Sequence, residues 1–173
     1  ALADVAVKES LLRTMTALQS MGFRIPGKKI VINLAPADMR KNGSGYDLPI
    51  AIGIIAASQQ RTLPLLGETL VMGELGLDGS VRPIKGGLPI ADFAAKNGFR
   101  KCILPYSSAL EASGMDGIDV YGIRSLEDAF GKKFENMEYI NGKLTEIDSH
   151  LKEIDLDLLK TYQKVGIVKY DAF

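Results

Sequence analysis

The segment from Leu48 to Gln59 constrains the fold most. Leu48, Ile50, Ala51, Ile52, Ile54, Ile55, Ala56 and Ala57 leave it almost no polar face. A helix that is apolar nearly all round holds in water only when other elements cover it. The segment therefore predicts a central, buried helix from Leu48 to about Gln59. Asp47 stands where it can cap that helix, and Pro49 falls in the first turn, where a missing N–H costs nothing.

Covering elements are readable on both sides. Asp4 is a good N-cap, Val7, Leu11, Met15 and Leu18 follow at helical spacing, and Gly22 supplies a stop, giving a helix from about 4 to 21. Lys29 to Leu34 is a β-branched run that predicts a buried strand. A long polar loop, Ala35 to Tyr46, follows. Leu70–Leu75 and Ser80–Ile84 read as two strands joined by a turn at Asp78-Gly79. After Gly86-Gly87 come a helix from Leu88 to Lys96, a strand at Lys101–Leu104 and a helix at Ser107–Ala112. A strand at Val120–Ile123 and a helix at Ser125–Phe130 complete the series. This alternation implies parallel strands with crossover helices, an α/β fold bordering on α+β. Residues 1–130 are expected to form that domain. Residues 131–173 are polar and lack strand signals, with one amphipathic stretch from Ile147 to Tyr162, and read as a linker carrying a helix. Both ends read as cut, so the chain is expected to be a fragment.

Composition narrows the chemistry. The chain has 173 residues, a single cysteine (Cys102) and a single histidine (His150), which exclude an internal disulfide and a Cys/His zinc cluster. No apolar run reaches the roughly 18 residues of a membrane span, and no signal peptide opens the chain. These features fit a reducing cytosol. Charge is unevenly spread: residues 1–110 carry 13 Lys/Arg against 8 Asp/Glu, and residues 111–173 carry 8 against 13. The first part could present a basic face to a partner, or simply a solvated surface.

Three segments invite a chemical reading. Gly22-Phe-Arg-Ile-Pro-Gly27-Lys28-Lys29 resembles a phosphate-binding loop, but that loop must lie between a strand and a following helix. Here a helix precedes and a strand is expected after, Pro26 removes an amide, and Lys29 offers Mg²⁺ no hydroxyl, so a plain helix-to-strand turn is expected. Arg40-Lys-Asn-Gly-Ser-Gly-Tyr-Asp47 combines glycines that allow close backbone approach with cations that attract an anion, and Ser44 sits near a helix N-terminus, where a nucleophile is favoured. A loop with a capped helix explains it equally. Gly73 to Leu88 feeds a hairpin into a Gly-Gly helix entry, and Lys85 beside it would be reactive only if desolvated.

Taken together, Asp4–Ser10, Asn33–Lys41, Gly43–Ile52 and Gly73–Gly87 resemble the N-terminal domain of the magnesium-chelatase-like ATPases of the competence-protein ComM group. The likeness covers about residues 1–130. It implies a ribosomal-protein-S5-domain-2 fold of the Lon-protease type, a mixed sheet packed with helices. The hairpin and Gly-Gly-Leu entry are also similar to Lon protease and to the C-terminal domain of the RadA recombination protein. In Lon a serine sits in a Pro-Ser-Ala-Gly turn opening a helix, and a lysine follows Gly-Gly-Leu. The matching positions here are Gly45 and Pro89, so the resemblance implies a protease-like domain without catalytic residues.

The resemblance further implies a bacterial, cytoplasmic DNA motor working in branch migration, transformation and recombination. ATP and Mg²⁺ would be bound by an AAA+ module following this domain and by no residue within it, and the full-length protein would form a hexamer. The domain itself would be a scaffold or DNA-guiding collar with no catalytic, cofactor or metal residues and no membrane contact. Weak, sequence-independent DNA contact is expected from Arg40, Lys41, Arg82 and Lys85. The alternative is a Ser/Lys peptidase using the displaced Ser44 and Lys85.

Overall fold

In a computed structural model the described residues are 2–27 and 45–143. Helix α1 (Leu2–Ser20) ends as its sequence predicts. Gly22 takes a left-handed φ of 87°, its N–H donates to Gln19 O, and the Phe23 N–H reaches back to Leu18 O at 2.9 Å, a Schellman stop. Helix α2 (Asp47–Ser58) packs on α1 and buries Leu48, Ile50, Ala51, Ile52, Ile54 and Ile55. Its apolar sequence is covered on most sides, while Gly53, Ala56 and Ala57 form an exposed strip of small residues. The strand expected at Lys29–Leu34 and the helix expected at Ile147–Tyr162 lie outside the described residues.

The main sheet has four strands in the order β1 (Thr69–Val71), β4 (Lys101–Pro105), β5 (Asp119–Ile123), β6 (Glu138–Tyr139). The β1–β4 and β4–β5 pairs are parallel, as the alternation of elements predicts, and β6 is antiparallel to β5. Crossovers are made by helices α3 (Gly87–Lys96) and α4 (Tyr106–Leu110). Cys102, Ile103, Leu104, Val120 and Ile123 form the buried middle of the sheet. A 3₁₀ turn at Leu126–Ala129 begins with a capping box between Ser125 and Asp128. The mixed sheet packed with helices agrees with the fold class expected from the sequence.

Two expectations need correction. Leu70 to Leu75 is not one strand: β1 ends at Val71, and Glu74–Leu75 is a separate strand, β2, paired with β3 (Val81–Arg82) in its own hairpin. The break falls at Met72-Gly73, where Gly73 leaves the sheet to bond Gly45 and Leu48. Residues 131–141, expected in a strand-free linker, instead carry β6 and bury Met137 and Ile140, and the compact unit extends to Asn141. Asn141 closes it, accepting from Val120 N and donating to the Met115 and Ile118 carbonyls.

Candidate functional site

The two loops singled out in the sequence meet at the entrance to α2. Gly73 N–H donates to Gly45 O at 2.8 Å and Gly73 O accepts from Leu48 N at 2.9 Å, so the chain before the hairpin is stitched to the turn that opens the helix. A side chain at Gly73 would be crowded: a Cβ there would lie 3.1 Å from Leu48, 3.2 Å from Val81 and 3.3 Å from Pro105, so these neighbours would have to give way. Tyr46 is buried, which pushes its phenol above its ordinary pKa.

Asp47 is not the helix cap its sequence position suggests. It is fully buried, and its side chain caps no N–H of α2. Arg13 donates through Nε to Oδ2 at 3.0 Å and through Nη2 to Oδ1 at 2.7 Å. Ser10 Oγ donates to Oδ1 at 2.6 Å, and Leu75 N donates to Oδ2 at 3.2 Å. Thr14 Oγ1 donates to the Asp47 carbonyl at 3.4 Å. Its hydrogen bonds to Asp47 hold the Arg13 guanidinium above its already high ordinary pKa. One carboxylate thus ties α1, α2 and β2 together, and a buried charge is tolerated because every lone pair finds a donor. The signal for it in the sequence is Ser10, Arg13 and Thr14, polar residues at i, i+3 and i+4 that share one helix face with the apolar Ala17 and Leu18.

The hairpin continues into the Gly-Gly entry. Its turn is closed by Gly76 N to Ser80 O at 2.8 Å and Gly79 N to Gly76 O at 3.0 Å. Asp78 accepts from both Ser80 Oγ and Ser80 N, and these bonds hold its carboxyl below the usual range. Past β3, the buried Ser108 hydroxyl accepts from Ile84 N and donates to Ile84 O, both at 3.0 Å. Gly86 adopts a φ of 85°, and Gly87 opens α3 with its N–H on Glu111 Oε2 at 2.9 Å. A Cβ on Gly87 would overlap the Ser108 carbonyl, lying 2.7 Å from its carbon.

The expected site residues fare unevenly. Arg82 and Lys85 are exposed on the hairpin arm, whereas Arg40, Lys41 and Ser44 lie outside the described residues. Lys85 is exposed rather than desolvated. Gly45 is buried, and a Cβ there would start 3.0 Å from Met72 Cε. Pro89 is exposed in the first turn of α3. Gly22, the first glycine of the string that resembles a phosphate loop, serves to end α1. Among the described residues no three His, Cys, Asp or Glu side chains gather as metal ligands, and no helix is long and apolar enough to cross a membrane.

Residues 1–108, which span α1, α2, the hairpin and α3, match the model of a protein family described as subunit ChlI of Mg-chelatase. The chain belongs to that family. Similarity to curated proteins extends the match of this Mg-chelatase ChlI-type chain. Over 116 residues, 67% of the chain, it is 43% identical to the uncharacterized protein YifB of Escherichia coli. It is 37% identical over 142 residues, 82% of the chain, to the competence protein ComM of Haemophilus influenzae. More distantly, it is 27% identical over 108 residues, 62% of the chain, to the DNA repair protein RadA of E. coli. These matches cover 23%, 26% and 23% of the respective relatives, so the chain spans about a quarter of each. They confirm the ComM-group resemblance seen in the sequence.

Proposed function

We propose that this chain is a non-catalytic accessory module of a larger magnesium-chelatase-like AAA+ ATPase that works on DNA. The observation that carries the reading is the Gly45–Asp47 turn. The position matching a serine nucleophile holds a buried glycine against Met72, and the carboxylate two residues on is engaged by Arg13 instead of facing an open cleft. The position matching the lysine is Pro89, which has neither an amine nor an N–H. An acyl-transfer site needs a nucleophile and a base converging on one atom, and these positions supply neither. The DNA part of the reading is supported by relatives named for competence and for DNA repair.

In this reading ATP and Mg²⁺ belong to an AAA+ module outside these residues, and the assembled protein is a cytoplasmic hexamer. The domain acts as a scaffold or DNA-guiding collar, with weak phosphate contact from Arg40, Lys41, Arg82 and Lys85. The test is to delete residues 1–141 from the full-length protein and follow ATP hydrolysis alongside migration of a synthetic four-way DNA junction. Hydrolysis should persist while junction migration falls about tenfold or more. Undiminished migration, or casein cleavage by the intact chain that Ser44→Ala abolishes, would overturn the reading.

A further inference from the structure

One corner of the domain gathers cations that are far apart in the chain. Gln60 clamps the backbone of Arg24 from both sides, accepting from its N–H at 2.8 Å and donating to its carbonyl at 2.7 Å. The next residue, Arg61, lays its guanidinium over the Phe23 ring, 4.8 Å from the centroid. Phe23 meets Phe130 edge-on at 6.1 Å. Gly131 N then donates to Thr62 O at 2.9 Å, which brings Lys132 and Lys133 to the same corner. Arg24, Arg61, Lys132 and Lys133 are all exposed, and none has an ion-pair partner among the described residues. Arg13, Lys96, Arg100 and Arg124, by contrast, are each paired with a carboxylate, while Arg82 and Lys85 on the hairpin arm are exposed as the corner's four are. Three acids lie close by. Asp78 and Glu127 line the same cleft as Arg61, and the Glu135 carboxylate sits over Gly131. Positive charge remains in excess.

We infer that this corner is a contact surface for the phosphate backbone of duplex DNA, made by residues other than Arg82 and Lys85. The inference rests on the DNA reading above and names a surface for it. Exposed cations with no carboxylate partner neutralise phosphates and release counterions, which gives affinity without sequence preference. Phe23 is buried and Phe130 half-buried against it, so neither ring is a platform for an unstacked base, and a duplex fits better than a single strand.

The experiment titrates the 173-residue chain against a short fluorescent duplex of arbitrary sequence and reads anisotropy between about 50 and 200 mM salt. Replacing Arg24, Arg61, Lys132 and Lys133 by Gln should make the slope of log affinity against log salt shallower by about 3–4. The charge-preserving Arg24→Lys, Arg61→Lys variant should bind like the parent. If the four-site variant melts early, Lys132→Gln with Lys133→Gln, which removes no ring contact, should still give about half that change in slope. Unchanged binding in the Gln variants, with loss in Arg82→Gln, Lys85→Gln, would overturn the inference and leave the DNA reading standing. Absence of duplex binding by the parent chain would also overturn it, and the deletion experiment judges the wider reading independently. Equal competition by a polyglutamate chain would assign the corner to an acidic protein and sink the inference too.

Discussion

The Arg13 guanidinium and the Asp47 carboxylate meet side-on, two parallel hydrogen bonds joining residues on different helices. Asp47 is fully buried, while the Arg13 side chain keeps 38% of its exposure. Removing one partner of a fully buried pair costs about 3–5 kcal/mol; partial screening of Arg13 lowers that for Arg13→Ala to about 2–4 kcal/mol. Asp47→Ala should also destabilise, because it strands Leu75 N–H and the Ser10 hydroxyl. Replacing both residues should cost less than the sum of the two single changes, as read from urea unfolding.

Two glycine substitutions should move stability in opposite directions. Gly87→Ala forces a methyl into the Ser108 carbonyl and should cost about 3 kcal/mol or more. Gly53→Ala lies on the exposed strip of α2 with open space around it, and should stabilise by about 0.5–1 kcal/mol. Thermal melts of the two variants check both signs in one experiment.

Ile140 is fully buried although it comes after the polar stretch that opens at Gly131. Ile140→Ala should cost about 2–4 kcal/mol, and a chain ending at residue 130 should expose hydrophobic surface to a dye such as ANS. A truncated chain that melts like the parent would show that β6 adds nothing.

Burial pushes the Cys102 thiol up from its ordinary 9.0 to about 12. The folded chain should therefore resist iodoacetamide at mildly alkaline pH and react once unfolded. The folded state holds the proton more tightly than the unfolded one, so stability from this group is full below pH 9 and is lost as pH rises from 9 towards 12. Cys102→Ala should flatten that alkaline decline in a pH series of urea melts.

What the sequence could show depended on distance along the chain. Helix α2 and strands β4 and β5 were legible because their apolar patterns are local. Gly73 was read as the interior of one strand because the partners that pull it away, Gly45 and Leu48, lie far upstream. Asp47 was read as a cap for the same reason: local rules favour a cap at that place, and Arg13 is 34 residues away. The end of the domain was missed because β6 is only two residues long, too short for an alternating pattern. Its one signal was Met137 and Ile140, an apolar pair inside a polar run. Arg82 and Lys85 stand on the hairpin arm and are neighbours in sequence, but nothing in the linear order joins Arg24 and Arg61 to Lys132 and Lys133.

The break at Met72-Gly73 also separates a pairing that is close in sequence from one that is distant. Strands β2 and β3 are joined by a tight turn at Gly76–Ser80, a closure of the microsecond kind. Strand β1 must wait for β4, with the hairpin and all of α3 between Thr69 and its partner Lys101. A continuous Leu70–Leu75 strand would have made the fast pairing and the slow one compete for the same backbone. With Gly73 as the joint, the early hairpin can form without committing β1 to the wrong neighbour.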